Sequence, residues 1–585
     1  MDANLGSCAG RNAGPGRRFP HALRFRFCLP VPMLAVGAWS IPAAVLGLVL
    51  VVPLPIQAQV LPDAGRLLND VSPMPVMPPA GTEVLPLPPP VEPALTLQSD
   101  VRFAIARFEI NDVSAFDAEQ LQHLLDDLRG PERNLAALEL AVTRITLFYR
   151  QHGYLLARAY LPEQNIDGGV VEIHVLEGRL GNIVIDNSSR LSSDVVQRRL
   201  QRIGMDQALQ GAALESSLLL LSDTPGIVVR SALAPGTVVG STDLHVVITE
   251  ARAVDGDVSF DNDGNRYTGQ YHGNANITIN NPSGIGDQLS ANVISAGGEF
   301  NYGRINYQLP LNDVGTRLAF SYASMAYRLG QDFAELDAYG VARIAGVSLT
   351  HPLLRSRAFN INGQVRFEHK LLVDRIGLTS DGSEKSLNNL TLSLFGDAST
   401  SASQNLDSLS VTWGKLTLDQ ASAALDATGH RTDGNFVKGN LQWTRLQRLN
   451  EPTSVLLQVN AQLSGSNLDS AEKMSMGGPY AVRAYPAGEA PADDVLMLNL
   501  ELRRTLTPQW QGLLFGDIAR GRLNHSPINT DGNNLRTLSG LGLGGRWNGP
   551  DGYRGQAILA WRTDSAPVSD HDKAPRFWLQ MAKVF

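Results

Sequence analysis

Three patterns in this chain could do chemistry, and each depends on what surrounds it. Gly540, Gly542 and Gly545 match the dinucleotide fingerprint G-x-G-x-x-G. That loop needs a strand before it and a helix after it, so that a helix N-terminus meets the pyrophosphate. Here Leu541 and Leu543 alternate with the glycines inside one strand, which makes them lumen-facing glycines instead. Asp261, Asp263 and Asn265 open like a calcium loop, but Arg266 stands where glycine is required and His272 where the bidentate glutamate belongs. The 11 histidines are scattered, with no His-Glu-x-x-His, and no Gly-x-Ser-x-Gly is present. No catalytic residue, cofactor-binding residue or metal ligand is expected, and the chain is not expected to be an enzyme.

The elements that carry the remaining polar residues are strands. From Asp255 to Phe585 apolar and polar side chains alternate repeatedly. Tyr271, Gly273, Ala275, Ile277 and Ile279 interleave with His272, Asn274, Asn276, Thr278 and Asn280; Leu496, Leu498, Leu500 and Leu502 interleave with Met497, Asn499, Glu501 and Arg503. Successive strand side chains point to opposite faces, so each run has a greasy and a hydrated face. A membrane barrel needs this, with lipid on one side and a wet lumen on the other. About sixteen strands fit at roughly 21 residues each with connections, against ~9–11 for one crossing. The longest gap, Gly465 to Asp494, is too long for a hairpin turn, and such loops are commonly functional or disordered. Phe577, Leu579, Met581 and Phe585 share a parity in the last strand.

Composition sets the compartment. The 585 residues carry 49 Lys+Arg and 57 Asp+Glu, a net charge of −8 that offers no nucleic-acid surface. Mean hydropathy near zero excludes a polytopic helical membrane protein. Arg11, Arg17, Arg18, Arg24 and Arg26 precede an apolar run from Met33 to Val52, and Ile56-Gln57-Ala58 resembles a signal-peptidase site. Residues 1–58 therefore read as a signal peptide, with a single membrane anchor as the alternative. Its removal takes five arginines and one aspartate away and leaves −12. Cys8 and Cys28, the only cysteines, leave with it. Signal and barrel together place the chain in a bacterial outer membrane.

Between leader and strands the order changes. Ten prolines fall between Pro62 and Pro93. Residues 59–72 could hold a short helix, with Pro62 at its first position and Leu67, Leu68 and Val71 on one face. Residues 73–100 form a Pro-rich linker able to reach roughly 80 Å when extended. Residues 101–178 read as a β-α-α-β-β unit: strand Val101–Asn111, helices Phe116–Leu128 and Leu135–His152, strands Leu155–Leu161 and Val170–Leu176. Residues 179–252 repeat that order, a period near 75 residues. Residues 253–585 form the barrel.

The long loop contains Gly477-Gly478-Pro479-Tyr480-Ala481-Val482-Arg483-Ala484-Tyr485-Pro486. With the tandem units and the barrel, it resembles the two-partner secretion (TpsB) outer-membrane transporters, the hemolysin and filamentous-hemagglutinin secretion/activation proteins. The family pattern there is Val-Arg-Gly-Tyr, and Ala484 replaces its glycine. Phe515-Gly516-Asp517 resembles the family's Phe-x-Asp wall motif, and Asp261-Asn262-x-Gly264 with Thr268-Gly269 its first strand. The resemblance implies α+β periplasmic POTRA domains followed by an antiparallel 16-stranded transmembrane β-barrel, with the short helix as a plug. It implies Val482, Arg483, Tyr485, Phe515 and Asp517 as the gating loop and its wall. Arg483 on the loop and a lumen-facing Asp517 could then meet bidentately. Phe577 and Phe585 are expected in the C-terminal signal read by the barrel assembly machinery. Expected partners are a secreted, unfolded partner exoprotein, that machinery and outer-membrane lipid, with no nucleic acid. The function implied is type V secretion with porin activity; the alternatives are a barrel assembly factor (insertase) or a passive porin. Cargo docking is expected by strand addition to a POTRA edge such as Val170–Leu176.

Overall fold

The computed structural model describes residues 61–71, 101–204, 207–379 and 381–585. The signal sequence and the Pro-rich linker expected above lie outside the described residues. The first described element is helix α1 (Ala64–Asp70). Asp63 caps it, accepting from the Arg66 N–H, so Pro62 stands before the cap and not at the first helical position. The acidic side chain satisfies an amide that Pro62 cannot.

The next unit holds β1 (Phe103–Ile105), β2 (Arg107–Asn111), α2 (Ala118–His123), β3 (Gly130–Arg133), α3 (Leu135–Gln151), β4 (Arg158–Tyr160) and β5 (Val170–Leu176). The expected strand 101–111 breaks at Ala106, whose N–H turns to the Gly169 carbonyl. The expected helix 116–128 is shorter and ends in a 3₁₀ turn at Asp126–Leu128. Gly153, at φ 92°, ends α3 in the left-handed region that favours glycine. The second unit repeats the plan with β6 (Arg179–Asn187), α4 (Ser193–Gln201), α5 (Gly211–Ser222), β7 (Ile227–Pro235) and β8 (Ser241–Glu250).

Sheet order proves the repeat. The first unit runs β2-β5-β4 and the second β6-β8-β7. In each the first and last strands pair parallel and the last two antiparallel. One consequence overturns an expectation: Val170–Leu176 is the central strand, with β2 on one side and β4 on the other. Its hydrogen-bonding edges are both used, so it cannot receive an added strand. Each unit closes its own apolar core, around Phe108, Ile145 and Ile173 in the first and Leu200, Leu218 and Val246 in the second.

Sixteen strands follow, from β9 (Val254–Asp261) to β24 (Arg576–Val584), every neighbour antiparallel. β24 pairs with β9 and closes the barrel, with Met581 opposite Phe260. Leucines 496, 498, 500 and 502 are exposed outward while Met497, Asn499 and Glu501 are buried on the inner face. Burial alternates with the same period as polarity, as lipid outside and filled lumen inside require. Phe577, Met581 and Phe585 lie on the outer face. Gly545 shares parity with the exposed Leu541 and Leu543, so only Gly540 and Gly542 of the apparent fingerprint face inward.

Candidate functional site

Two adjacent strands build one wall of the lumen. In β20 (Asp494–Thr505) Asn499 and Glu501 point inward; in β21 (Trp510–Arg522) Phe515 and Asp517 do. Pairing places Asn499 opposite Asp517 and Glu501 opposite Phe515, so two carboxylates share one patch. A cation set between them stabilises two ionised carboxylates at low dielectric.

The loop between β19 (Thr453–Ser464) and β20 supplies it. Residues 465–493 fold back into the barrel, with Val482 and Tyr485 fully buried. Arg483 meets Asp517 through both Nε (2.9 Å) and Nη2 (2.8 Å), and its own N–H donates to the same carboxylate at 3.1 Å. Its Nη1 donates to Glu501 Oε2 at 2.6 Å. The guanidinium lies 3.5 Å from the centre of the Phe515 ring. Trp578 on β24 donates its indole N–H to the Arg483 carbonyl at 2.7 Å, and Asn499 ties Ala481 to Asp517. A planar fork, two carboxylates and an aromatic face fix one orientation, which a lysine ammonium could not reproduce. Tyr485 donates to the Ser565 carbonyl at 2.8 Å. Ala484 needs no positive φ, and its methyl is received by Gly540, where an added Cβ would sit 2.5 Å away. That pairing explains why alanine is tolerated where the resemblance leads one to expect glycine.

The loop is anchored elsewhere too. Glu472 accepts from Lys370 at 2.7 Å and from Asn389 at 2.7 Å, and pairs with Lys438 at 2.8 Å, three side chains from three wall strands. Helix α1 lies against loop and wall together. Ala64, Leu67 and Leu68 pack into an apolar cluster with Tyr302, Met325 and Tyr327 of the wall. Arg66 donates to the Gly488 carbonyl at 2.6 Å, and Asn69 to the Ser470 and Lys473 carbonyls. Lys385 bridges all three parts, reaching Asp63 of the helix cap at 3.2 Å and Asp469 of the loop at 2.9 Å. Gly65 permits this approach, since an added Cβ would stand 2.7 Å from the Ala471 nitrogen.

The structure thus brings Val482, Arg483, Tyr485, Phe515 and Asp517 into one cluster. It places Phe577 and Phe585 apart, on the outer face. Sequence reasoning missed Asn499, Glu501, Arg503, Arg546 and Trp578. Arg503 and Arg546 both pair with Glu501, at 2.6 and 3.3 Å. Parity alone assigned Asn499, Glu501 and Arg503 to the polar face; what was lacking was the register that sets them beside Asp517. Among the described residues no cluster of side chains could hold a metal ion.

Comparison with known proteins agrees at every level. Residues 103–178 match the model of the ShlB-type POTRA domain, and residues 240–546 that of the haemolysin secretion/activation protein ShlB/FhaC/HecB. The heme/hemopexin transporter protein HuxB of Haemophilus influenzae (strain 86-028NP) is 28% identical over 500 residues, 83% of this chain and 88% of that protein. The outer membrane transporter CdiB of Dickeya dadantii (strain 3937) is 25% identical over 60% of this chain and 63% of its own length. Among solved structures, CdiB from Escherichia coli superposes with a TM-score of 0.70 at 18% identity, covering 85% of this chain and 93% of that one. CdiB from Acinetobacter baumannii gives 0.61 at 18% identity, over 84% and 91%. The chain therefore belongs to the haemolysin secretion/activation protein family ShlB/FhaC/HecB, outer-membrane barrels with periplasmic POTRA domains that secrete a partner protein.

Proposed function

We propose that this chain exports one large partner exoprotein, unfolded, through the lumen of its own barrel. Residues 101–178 and 179–252 act as two POTRA domains that receive the cargo, residues 59–72 act as the plug, and residues 465–493 as the gating loop. The observation that carries this reading is Arg483. A loop of 29 residues is folded into the lumen and fixed there by a buried, bidentate ion pair to Asp517. A passive pore has no use for an obstruction held so specifically, nor for periplasmic domains.

Strand addition remains the mode of cargo docking, but on an edge of the sheet. The outer edge of β2 (Arg107–Asn111) meets that need, because β5 already occupies its other side. The barrel assembly machinery and outer-membrane lipid are the further partners, met through the outward Phe577, Met581 and Phe585. Among named relatives, the heme/hemopexin transporter makes a related cargo the first to try.

Secretion by an Arg483→Ala variant tests the reading. The barrel should insert and resist heat and detergent as before, while cargo stays in the periplasm. Normal secretion by a correctly inserted variant overturns the role given to the loop.

A further inference from the structure

At the periplasmic end of the lumen a cavity of about 560 Å³ lies between helix α5 and the barrel wall. Its helical side is formed by Leu219, Leu220 and the cap residue Asp223. Its wall side carries amides, Gln308, Asn360, Asn362 and Gln364, all with inward parity. The cavity is thus the end of the conduit itself, covered by the second POTRA unit.

The cover is held by guanidinium groups. Arg355 grips the Asp223 carboxylate bidentately, at 2.7 and 2.8 Å, and Arg317 donates to the Asp223 carbonyl at 2.8 Å. Arg357 pairs with Glu215 of the same helix at 2.5 Å. Arg355 is aimed there by a bulge. The register shifts between Pro352 and Leu354, leaving Leu353 and Leu354 both exposed outward and turning Arg355 to the inner face. Bulges that re-aim one side chain are built features, not defects. The Arg355–Asp223 pair keeps 21% and 32% of its side-chain surface exposed, so water can replace either partner cheaply. An entirely buried pair such as Arg483–Asp517 lacks that freedom.

We propose that this cavity is the first binding site for cargo inside the barrel, taking an extended segment with a carboxylate side chain that displaces Asp223 from Arg355. The amides can donate to and accept from the unpaired backbone of an unfolded chain, whatever its sequence. Arg355 and Arg317 add preference for acidic positions. Release of the Asp223 carboxylate removes one of the three guanidinium links between α5 and the rim at the moment a segment is seated. The proposal rests on the export reading above.

Two experiments on the full chain, with partner cargo co-expressed, test it. In the first, Arg355→Asp and Asp223→Arg are made singly and together. Arg355→Asp should lower secretion several-fold, whereas Asp223→Arg, which leaves Arg355 free for cargo, should stay within twofold of the parent. The double variant restores a pair of opposite charges yet leaves the wrong charge on the wall, so secretion should stay low. Full rescue by the double variant would mean the pair only fastens α5, and overturns the proposal. In the second, cysteines are placed at Asn362 in the cavity and at Thr391 farther along the lumen, where it pairs with Arg366, in a chain whose Cys8 and Cys28 are replaced by serine. Cargo with single cysteines, trapped during export by an added two-electron thiol oxidant that takes up the electrons as the two thiols lose their protons, should form mixed disulfides at both positions. Those at Asn362→Cys should favour cargo positions next to acidic residues, and lose that bias in Arg355→Gln. Disulfides at Thr391→Cys alone, or no bias, overturn the cavity as a binding site. No disulfide at either position overturns export through the lumen itself.

Discussion

Helix α1 and the loop 465–493 occupy the same lumen but are held by different physics. The helix has seven residues, about 10 Å, too short to be stable alone. Burying Leu67 and Leu68 contributes about 3–6 kcal/mol. Its hydrogen bonds to loop and wall add about 3–7 kcal/mol at 0.5–1.5 each. Ordering seven residues costs about 7–14 kcal/mol. These sums nearly cancel, so the helix rests close to balance. The loop begins and ends in paired strands, and its tip holds a buried guanidinium between two carboxylates. The gate proposed above would thus divide into a part that can leave and a part that stays.

The loop side of this contrast predicts the largest effect. Arg483→Ala strands Asp517, while Glu501 keeps Arg503 and Arg546, and should cost about 3–5 kcal/mol of loop placement. Secreted cargo, measured at equal outer-membrane levels, should fall at least tenfold. Arg483→Lys keeps the charge but not the fork, and should lie between that variant and the parent. If lysine fully restored secretion, charge alone would explain the site.

On the helix side, deleting Pro62–Val71 should raise single-channel conductance and dwell time severalfold, while secretion changes less than twofold. A channel indifferent to the deletion would show that the helix does not obstruct it. Lys385→Met removes the link between the helix cap and the loop. It should raise the open fraction without altering open-state conductance, an effect of about 1–3 kcal/mol for leaving two carboxylates short of a partner.

The smallest effect is expected outside the lumen. Glu177, in the first POTRA unit, is 5% exposed and accepts from the Ser114 and Ala115 N–H groups and from the Ser114 and Tyr149 hydroxyls. Burial pushes its carboxyl up, but those donors outweigh burial and hold it below the usual carboxylate range. A depressed folded-state value stabilises the fold above the unfolded-state pKa and is lost as pH falls through the folded one. The unit should therefore melt at lower temperature as pH drops from about 5 to 3. Glu177→Gln should flatten that dependence at a cost of about 1–2 kcal/mol and leave conductance unchanged. A conductance change would blur the division between scaffold and gate.

Much of this was legible in the sequence because the signal is periodic. Alternation gave the sixteen strands, and the tandem order gave two units with one topology; the inward face of Asp517 came from the resemblance to the family's wall motif, because apolar residues stand on both faces of strand 513–519. Glu501 and Trp578 were not legible as partners of Arg483, because their proximity depends on register across β20, β21 and β24 and on where a loop folds. The position of Val170–Leu176 was misjudged for a related reason. Its parallel pairing with β2 spans some 60 residues, and no local pattern reports it. The bulge at Pro352–Leu354 is likewise invisible, since two adjacent leucines carry no mark of which one left the alternation.

The division of the gate is tested most directly by thiol protection during export. Leu68→Cys and Val482→Cys, each in a chain whose Cys8 and Cys28 are replaced by serine, are exposed to a membrane-impermeant maleimide with and without cargo. Both sites are buried at rest, at 7% and 0% exposure. The helix cysteine should become reactive only when cargo is being exported, while the loop cysteine stays protected throughout. Reaction at Val482→Cys during export, or protection at Leu68→Cys while cargo passes, would contradict a gate whose helix leaves and whose loop remains.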